Sequence, residues 1–311
     1  MTARAFITGI GGQDGTYLAE RLVADGMEVH ALVLTADGHP AYCPDDVVLH
    51  AGDLGDVDAT RGLVRDIAPQ ELYNLAAISS VAQSWVEPDR TAHVNGQAAV
   101  ALMESARQVG GVRFVQASSA EIFGEPAASP QTEDTAIRPV NPYGAAKAFA
   151  HLSAAVFRQR DLHVSSAILY NHESPRRHER FVTRKITSTV AAIAGGRADE
   201  LVLGNLDARR DWGWAPDYVD AMIRAARADE PSDYVVATGR AQSVRDFVAA
   251  AFAAAGISDW ESLVRQDPAF FRPADPTELV GDASRARDLL GWEPTVAFEE
   301  IVARMVAADL G

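Results

Sequence analysis

Short apolar runs alternate with amphipathic stretches through the first half of the chain. A glycine triplet sits where the first run ends, and the alternation loosens after Tyr170. Together these predict an α/β protein: a doubly wound parallel sheet of the Rossmann type with a smaller mixed α/β C-terminal substrate lobe. Ala5 to Gly9 (AFITG) reads as a buried strand, and GTYLAERLVADG as the helix behind it, ending near Gly26. Met27 to Leu34 is a second strand, VVLHAGDL a third, and Ala59 to Ile67 a helix. ELYNLAA is the fourth strand, followed by a helix over Arg90 to Val109. Arg113 to Ser119 is the fifth, Pro142 to Arg160 is helical, and HVSSAILY is the sixth. Strand–helix alternation at this spacing requires parallel strands with helices on both faces.

Beyond Tyr170 helices are expected at Phe181–Ala194, Pro216–Ala228, Val244–Ala255 and Phe298–Leu310, with a strand at YVVATG. Composition changes most sharply near residue 170. Residues 1–170 are therefore read as the first domain and 171–311 mainly as the second lobe, with segments such as 214–240 as candidates to pack back on the first.

The chain has 311 residues, 48% hydrophobic and 23% charged, enough for a sizeable core. Its 28 basic and 43 acidic side chains give a formal charge of −15. Such a surface repels phosphate backbones and anionic lipids, so neither nucleic acid nor membrane is an expected partner. An anionic ligand would need a local cluster of cations. Cys43 is the single cysteine, which excludes an internal disulfide and fits a reducing compartment. The start, MTARAFITGIGGQDG, reads as neither a signal peptide nor a membrane span, and a cytoplasmic protein is expected.

Gly9, Gly12 and Gly15 form G-x-x-G-x-x-G between the first strand and the first helix. That pattern allows a tight turn, close approach of backbone to a pyrophosphate, and the positive end of a helix aimed at it. Gln13 and Asp14 lie inside the same loop. Asp53, followed by Leu54, ends the third strand, where its carboxylate can accept from an adenine amino group or simply cap a helix. Leu75, Ala76 and Ala77 end the fourth strand, and small residues there let a cofactor lie against the sheet. The end of the second strand, LVLTADG, carries Leu34 and Thr35 where a charge would choose between NAD and NADP; Asp37 pulls weakly toward NAD.

Tyr143 and Lys147 stand four residues apart on a predicted helix and so share a face. An ammonium near a phenol favours the phenolate and makes the tyrosine a usable base. Ser119, at the end of the fifth strand, fits as a third partner, and Glu121 in SSAEIFGE reads as a general base or a solvated turn residue. His172 and Glu173 are adjacent on extended backbone and point to opposite faces, so no metal site is read there.

The stretches TGIGGQDGTYLAE, SSAEIFGE, NPYGAAKAF, YNHESPRR and LGNLDARRDWG resemble the extended short-chain dehydrogenase/reductase family, and more narrowly its GDP-mannose 4,6-dehydratases. The resemblance continues through FVTRKIT, ATGRAQSVRDF, FFRPAD and GDASRARDLLGWEP, covering nearly the whole chain. It implies a nucleotide-sugar hydro-lyase with tightly bound, recycled NADP or NAD. Tyr143 and Lys147 would serve C4 oxidation, Glu121 and Ser119 the loss of water across C5 and C6. It also implies substrate contacts from Asn171, Arg184, Lys185, Arg210, Arg272 and Asp275. A reductase or epimerase on the same scaffold, or a non-catalytic dinucleotide sensor, are the alternatives. The family's basic loop after the second strand is replaced here by TADGHPAYCPDD, which has no lysine or arginine, so a homodimer is expected with a tetramer as the alternative. Ile78 and Ser80 also depart from the family's glutamine and histidine.

Overall fold

A computed structural model describes residues 2–35, 39–270 and 278–311. Its first half runs β1 (Arg4–Thr8), α1 (Gln13–Ala24), β2 (Glu28–Val33), β3 (Val48–Ala51), α2 (Val57–Ile67) and β4 (Glu71–Asn74). The short helices α3 (Val81–Val86) and α4 (Pro88–Ala92) lead into a π-turn at His93–Gln97 and then α5 (Ala98–Val109). β5 (Arg113–Ser119), α6 (Pro142–Arg158), β6 (His163–Leu169) and β7 (Asn171–Glu173) follow. The remainder comprises α7 (Val182–Ala194), β8 (Leu201–Leu203), β9 (Arg209–Trp214), α8 (Ala215–Arg227), β10 (Asp233–Val236) and β11 (Ala241–Ser243). Last come α9 (Val244–Ala254), β12 (Val264–Gln266), β13 (Glu278–Leu279), α10 (Ser284–Leu290) and α11 (Phe298–Leu310).

Seven parallel strands form the main sheet in the order β10-β6-β5-β4-β1-β2-β3. Strand order reverses between β1 and β4, and the carboxyl ends there border the crevice where such sheets take ligands. Both faces are covered, so the central strands are largely buried, with a few polar side chains among the apolar ones. Ile7, Tyr73 and Val115 join the core beneath α1 and α8, whereas Phe6, Leu72 and Phe114 join the one beneath α2, α5 and α6. β10 lies 60 residues and more beyond β6 in sequence yet pairs with it, which puts Asp233–Val236 at the edge of the main sheet. A third core, built around Trp212, Phe247, Phe252 and Met305, holds the smaller lobe.

The expected helix over residues 90–109 is broken by the π-turn. Asn95 in that turn accepts from Ile78 N (2.8 Å) and donates to Ile78 O (3.1 Å), which pulls the helix out of register to hold the loop after β4. The sequence does not announce the short strands β7, β8, β9, β11, β12 and β13; they are two to six residues long and carry no clear period. Asn171, read as the end of the sixth strand, opens β7 instead and pairs with Trp212 of β9. Among the described residues no helix is long and apolar enough to cross a membrane.

A polar ladder locks the strand ends. Thr8 Oγ1 donates to Asn74 Oδ1 (2.7 Å), and Asn74 Nδ2 donates to Gln116 Oε1 (2.9 Å), all three buried on neighbouring strands. Such buried groups keep their places because each satisfies the next.

The halves meet at the start of α1. His172 Nε2 lies 2.9 Å from Asp14 Oδ2, and His172 Nδ1 lies 2.7 Å from Tyr170 O. Both partners only accept, so the ring donates from both nitrogens and is an imidazolium. Gln13 Nε2 donates to His172 O (3.0 Å), and Ser174 Oγ donates to Gln13 Oε1 (2.8 Å). Burial acts against both charges, but the facing partner outweighs it. The Asp14 carboxyl is held below its usual range and the His172 imidazole above its own.

This pair makes a pH-dependent contribution to stability. The raised His172 stabilises fully below the unfolded value of about 6.5 and loses that contribution as pH rises through its folded value. The lowered Asp14 stabilises above about 3.9 and loses its contribution as pH falls through its folded value. His172→Gln should therefore cost about 3 kcal/mol near pH 6, with a smaller cost at pH 9. Denaturant unfolding at the two pH values checks this; an equal loss at both would mean that the ring acts by packing alone.

Candidate functional site

The glycine loop is built by exclusion of side chains. Gly9 has φ +82°, and a Cβ on it would lie 2.7 Å from Ala76 N. A Cβ on Gly15 would lie 2.3 Å from Gly9 O. Gly12 takes the N-cap position of α1 without any side-chain cap. The first backbone N–H groups of this helix thus face outward with its positive end, a ready anion site. Ala76 N is fixed by donating to Thr8 Oγ1 (3.2 Å), which brings the Leu75–Ala77 segment alongside Gly9. Asp53 Oδ1 accepts from Gly55 N (2.8 Å) in a turn, whereas the N-cap of α2 is Asp56. Leu54 is buried in the core. Gln13 and Asp14, expected at the cofactor, use their side chains to join the two halves as described above. Asp37 lies outside the described residues.

At the end of β5 the chain turns through Ala120–Ile122. Ser119 Oγ accepts from Glu121 N (3.3 Å). Glu121 Oε2 accepts from Asn141 Nδ2 (2.8 Å), and Asn141 Oδ1 accepts from Gly144 N (2.7 Å) as the N-cap of α6. One amide therefore starts the helix that carries Tyr143 and Lys147 and also holds the carboxylate. The helix approaches so closely that a Cβ on Gly144 would lie 2.5 Å from Glu121 O. Asn141 escaped the sequence reading, although Asn-Pro ahead of a helical period is a cap signature.

Lys147 is buried and donates to Ala117 O (2.8 Å), the carbonyl that also accepts from Gln116 Nε2 (2.9 Å). Burial draws the ammonium down to about 8, against the pull of Asp14. Its Nζ lies 6.0 Å from the Tyr143 ring centroid. Burial pushes the phenol of Tyr143 up to about 12; the hydrogen bond with Ser119 lowers it and the charge of Glu121 raises it. Desolvation is thus the largest influence on the phenol, and Ser119 is the leading group acting the other way.

The substrate candidates divide. Arg210, on β9, is buried, with Nη1 donating to Arg209 O (2.7 Å) among its contacts. Asn171, on β7, precedes His172 directly. Lys185 Nζ sits 4.2 Å above the Phe270 ring. Arg184 is committed elsewhere: its guanidinium pairs with Asp309 of α11 and donates to Pro175 O (3.2 Å). It ties α7 to the C-terminal helix, which is a structural use that the FVTRKIT match did not reveal. Arg272 and Asp275 lie outside the described residues. Glu173 turns inward to Thr183 Oγ1 (2.7 Å) and Arg177 Nε (3.3 Å), away from His172, and burial raises its carboxyl above the usual range.

Two kinds of comparison bear on this arrangement. The family model described as GDP-mannose 4,6 dehydratase matches residues 6–305. GDP-mannose 4,6 dehydratase 1 of Arabidopsis thaliana is 42% identical, over 98% of this chain and 89% of its own. The GDP-mannose 4,6-dehydratase of Yersinia enterocolitica is 40% identical, over 99% of this chain and 94% of its own. Among solved structures, the Thermus thermophilus UDP-glucose 4-epimerase complex with NAD superposes with a TM-score of 0.88 at 28% identity, over 99% of both chains. A glycine-lined helix start, a serine-ended strand and the Tyr143–Lys147 helix, matched along nearly the whole length, place this chain in the GDP-mannose 4,6-dehydratase family.

Proposed function

We propose that the chain removes water from GDP-mannose to give GDP-4-keto-6-deoxymannose, with NADP or NAD held on the glycine loop and recycled. The observation that carries this reading is Glu121, held by Asn141 within the turn that also sets Ser119 beside the Tyr143 phenol. A dinucleotide fits the residues present: the uncapped start of α1 suits a pyrophosphate, and Lys147 uses one of three donors on Ala117 O. When bound, the oxidised nicotinamide supplies a cation that accepts a hydride and later returns it.

Tyr143 takes the proton of the C4 hydroxyl. Burial pushes its phenol up to about 12, and positive charge brought beside it favours the phenolate. Ser119 orients that hydroxyl. A ketone at C4 acidifies the C5 hydrogen by resonance, and Glu121 removes it. The same carboxyl, now protonated, gives the proton to the C6 hydroxyl as water leaves. Tyr143 finally returns its proton to the product. Asn171 and Arg210 are assigned to the diphosphate, where an arginine offers planar, paired donors. An exposed apolar stripe on α6, made of Phe149, Leu152 and Val156, supports a homodimer.

Incubating the purified enzyme with GDP-mannose and a catalytic trace of dinucleotide should yield, by mass spectrometry, a product lighter by one water with no net change in the cofactor. Stoichiometric oxidation of NADPH would replace this reading with a reductase. Glu121→Gln should lower kcat by roughly 10²–10⁴-fold while Kd for GDP-mannose stays within a few-fold. An epimerase or reductase would keep most of its rate. Light scattering should give twice the 33.3 kDa chain mass, and the chain mass itself would dismiss the homodimer.

A further inference from the structure

The geometry points to Arg176 as a positioning residue that fastens residues 39–47 against α1 and thereby sets the affinity of the glycine loop for its dinucleotide. The inference rests on the reading of that loop as a dinucleotide site. Arg176 comes from the segment between β7 and α7, on the substrate side. Its Cζ lies 3.9 Å from the centroid of Tyr17 on α1 and 4.7 Å from that of Tyr42. Nη1 donates to Thr16 Oγ1 (3.2 Å) and Nη2 to Glu20 Oε1 (2.7 Å). The edge of the guanidinium is thus bonded to α1, and both tyrosine rings lie within cation–π range.

Tyr42 is where the fastening matters. Its backbone is left-handed (φ +62°), unfavourable for a bulky side chain, and the residue is 64% exposed. Burial therefore does not hold it there. The next residue, Cys43, is buried in the core and donates its backbone N–H to Pro40 O (3.1 Å). Pro40 in turn lies 3.8 Å from where a Cβ on Gly11 would stand. Residues 40–43 thus bridge the core to the glycine loop, with the ring of Tyr42 on Arg176 as their outer fastening. No lysine or arginine occurs within residues 39–47, so the cation is supplied by the other half of the molecule.

The test is fluorescence titration of nucleotide-stripped protein with NADH and with NADPH, paired with kcat for GDP-mannose at saturating dinucleotide. Arg176→Ala should raise Kd roughly five- to thirtyfold, the range of a partly desolvated cation–π contact, with kcat within about twofold. Tyr42→Ala, a change at an exposed ring that the core does not need, should act in the same direction. Tyr42→Phe should keep the wild-type Kd, because the ring remains. The double variant Arg176→Ala/Tyr42→Ala should be no weaker than Arg176→Ala. Unchanged Kd in Tyr42→Ala, or a fall in kcat with Kd unchanged in Arg176→Ala, overturns the assignment. If the wild type binds neither dinucleotide, the cofactor reading itself fails and this inference with it.

Discussion

The ion pair of half-buried Asp14 and buried His172 is the interaction on which the site depends. Two elements must meet there: the glycine-lined start of α1, and the strand that carries Asn171 into the second lobe. Taking these charges out of water is costly, and their attraction offsets this only because further hydrogen bonds satisfy the remaining atoms. The structure supplies them: Tyr170 O takes the second N–H of the ring, and Gln13 bonds the backbone of His172 and the side chain of Ser174. Apolar side chains at the same places would pack as well but would not fix one register between α1 and β7. The charge of Asp14 also reaches the neighbouring groups, raising both Lys147 and Tyr143 against or along with their burial.

The reactive groups themselves are governed by desolvation. Lys147 and Tyr143 share a helix face, yet burial moves the first down to about 8 and the second up to about 12, so both are pushed toward their neutral forms. A lysine near neutrality is sensitive to any charge placed beside it, and a tyrosine near 12 releases its proton only when such charge is present. A positive charge placed beside them would therefore favour the phenolate. Glu121 is oriented by a neutral amide, Asn141.

Much of this was legible in the sequence because it is local. The glycine spacing, the serine-ended β5 and the four-residue step from Tyr143 to Lys147 depend on neighbours within one turn or one strand. The contacts that escaped are those between distant segments. Arg184 matches a family motif, but its partner Asp309 lies 125 residues away, so its structural use was invisible. Asn141 sits inside a quoted motif and was passed over because the carboxylate that it holds is 20 residues earlier. The π-turn at His93–Gln97 arises from Asn95 reaching the backbone of Ile78, a tertiary demand that helical periodicity does not record. Lys147 and Tyr143 divide in the same way: their shared helix face is readable, and the burial that dominates both groups is not.

The acidic surface sharpens what the arginines must be doing. With a formal charge of −15, the chain attracts no anion at long range, so a diphosphate has to be held by short, directed contacts. Several cations near the lobe entrance are already paired with carboxylates: Arg176 with Glu20, Arg177 with Glu173, Arg184 with Asp309, Arg209 with Glu278. These pairs align segments and leave little net positive charge for an anion. An anion held here would have to be met by groups whose geometry, and not whose number, suits a phosphate, such as the backbone N–H groups at the start of α1. Such contacts form at the end of binding, after water has been displaced, so they select by fit while the acidic exterior does nothing to gather polyanions indiscriminately.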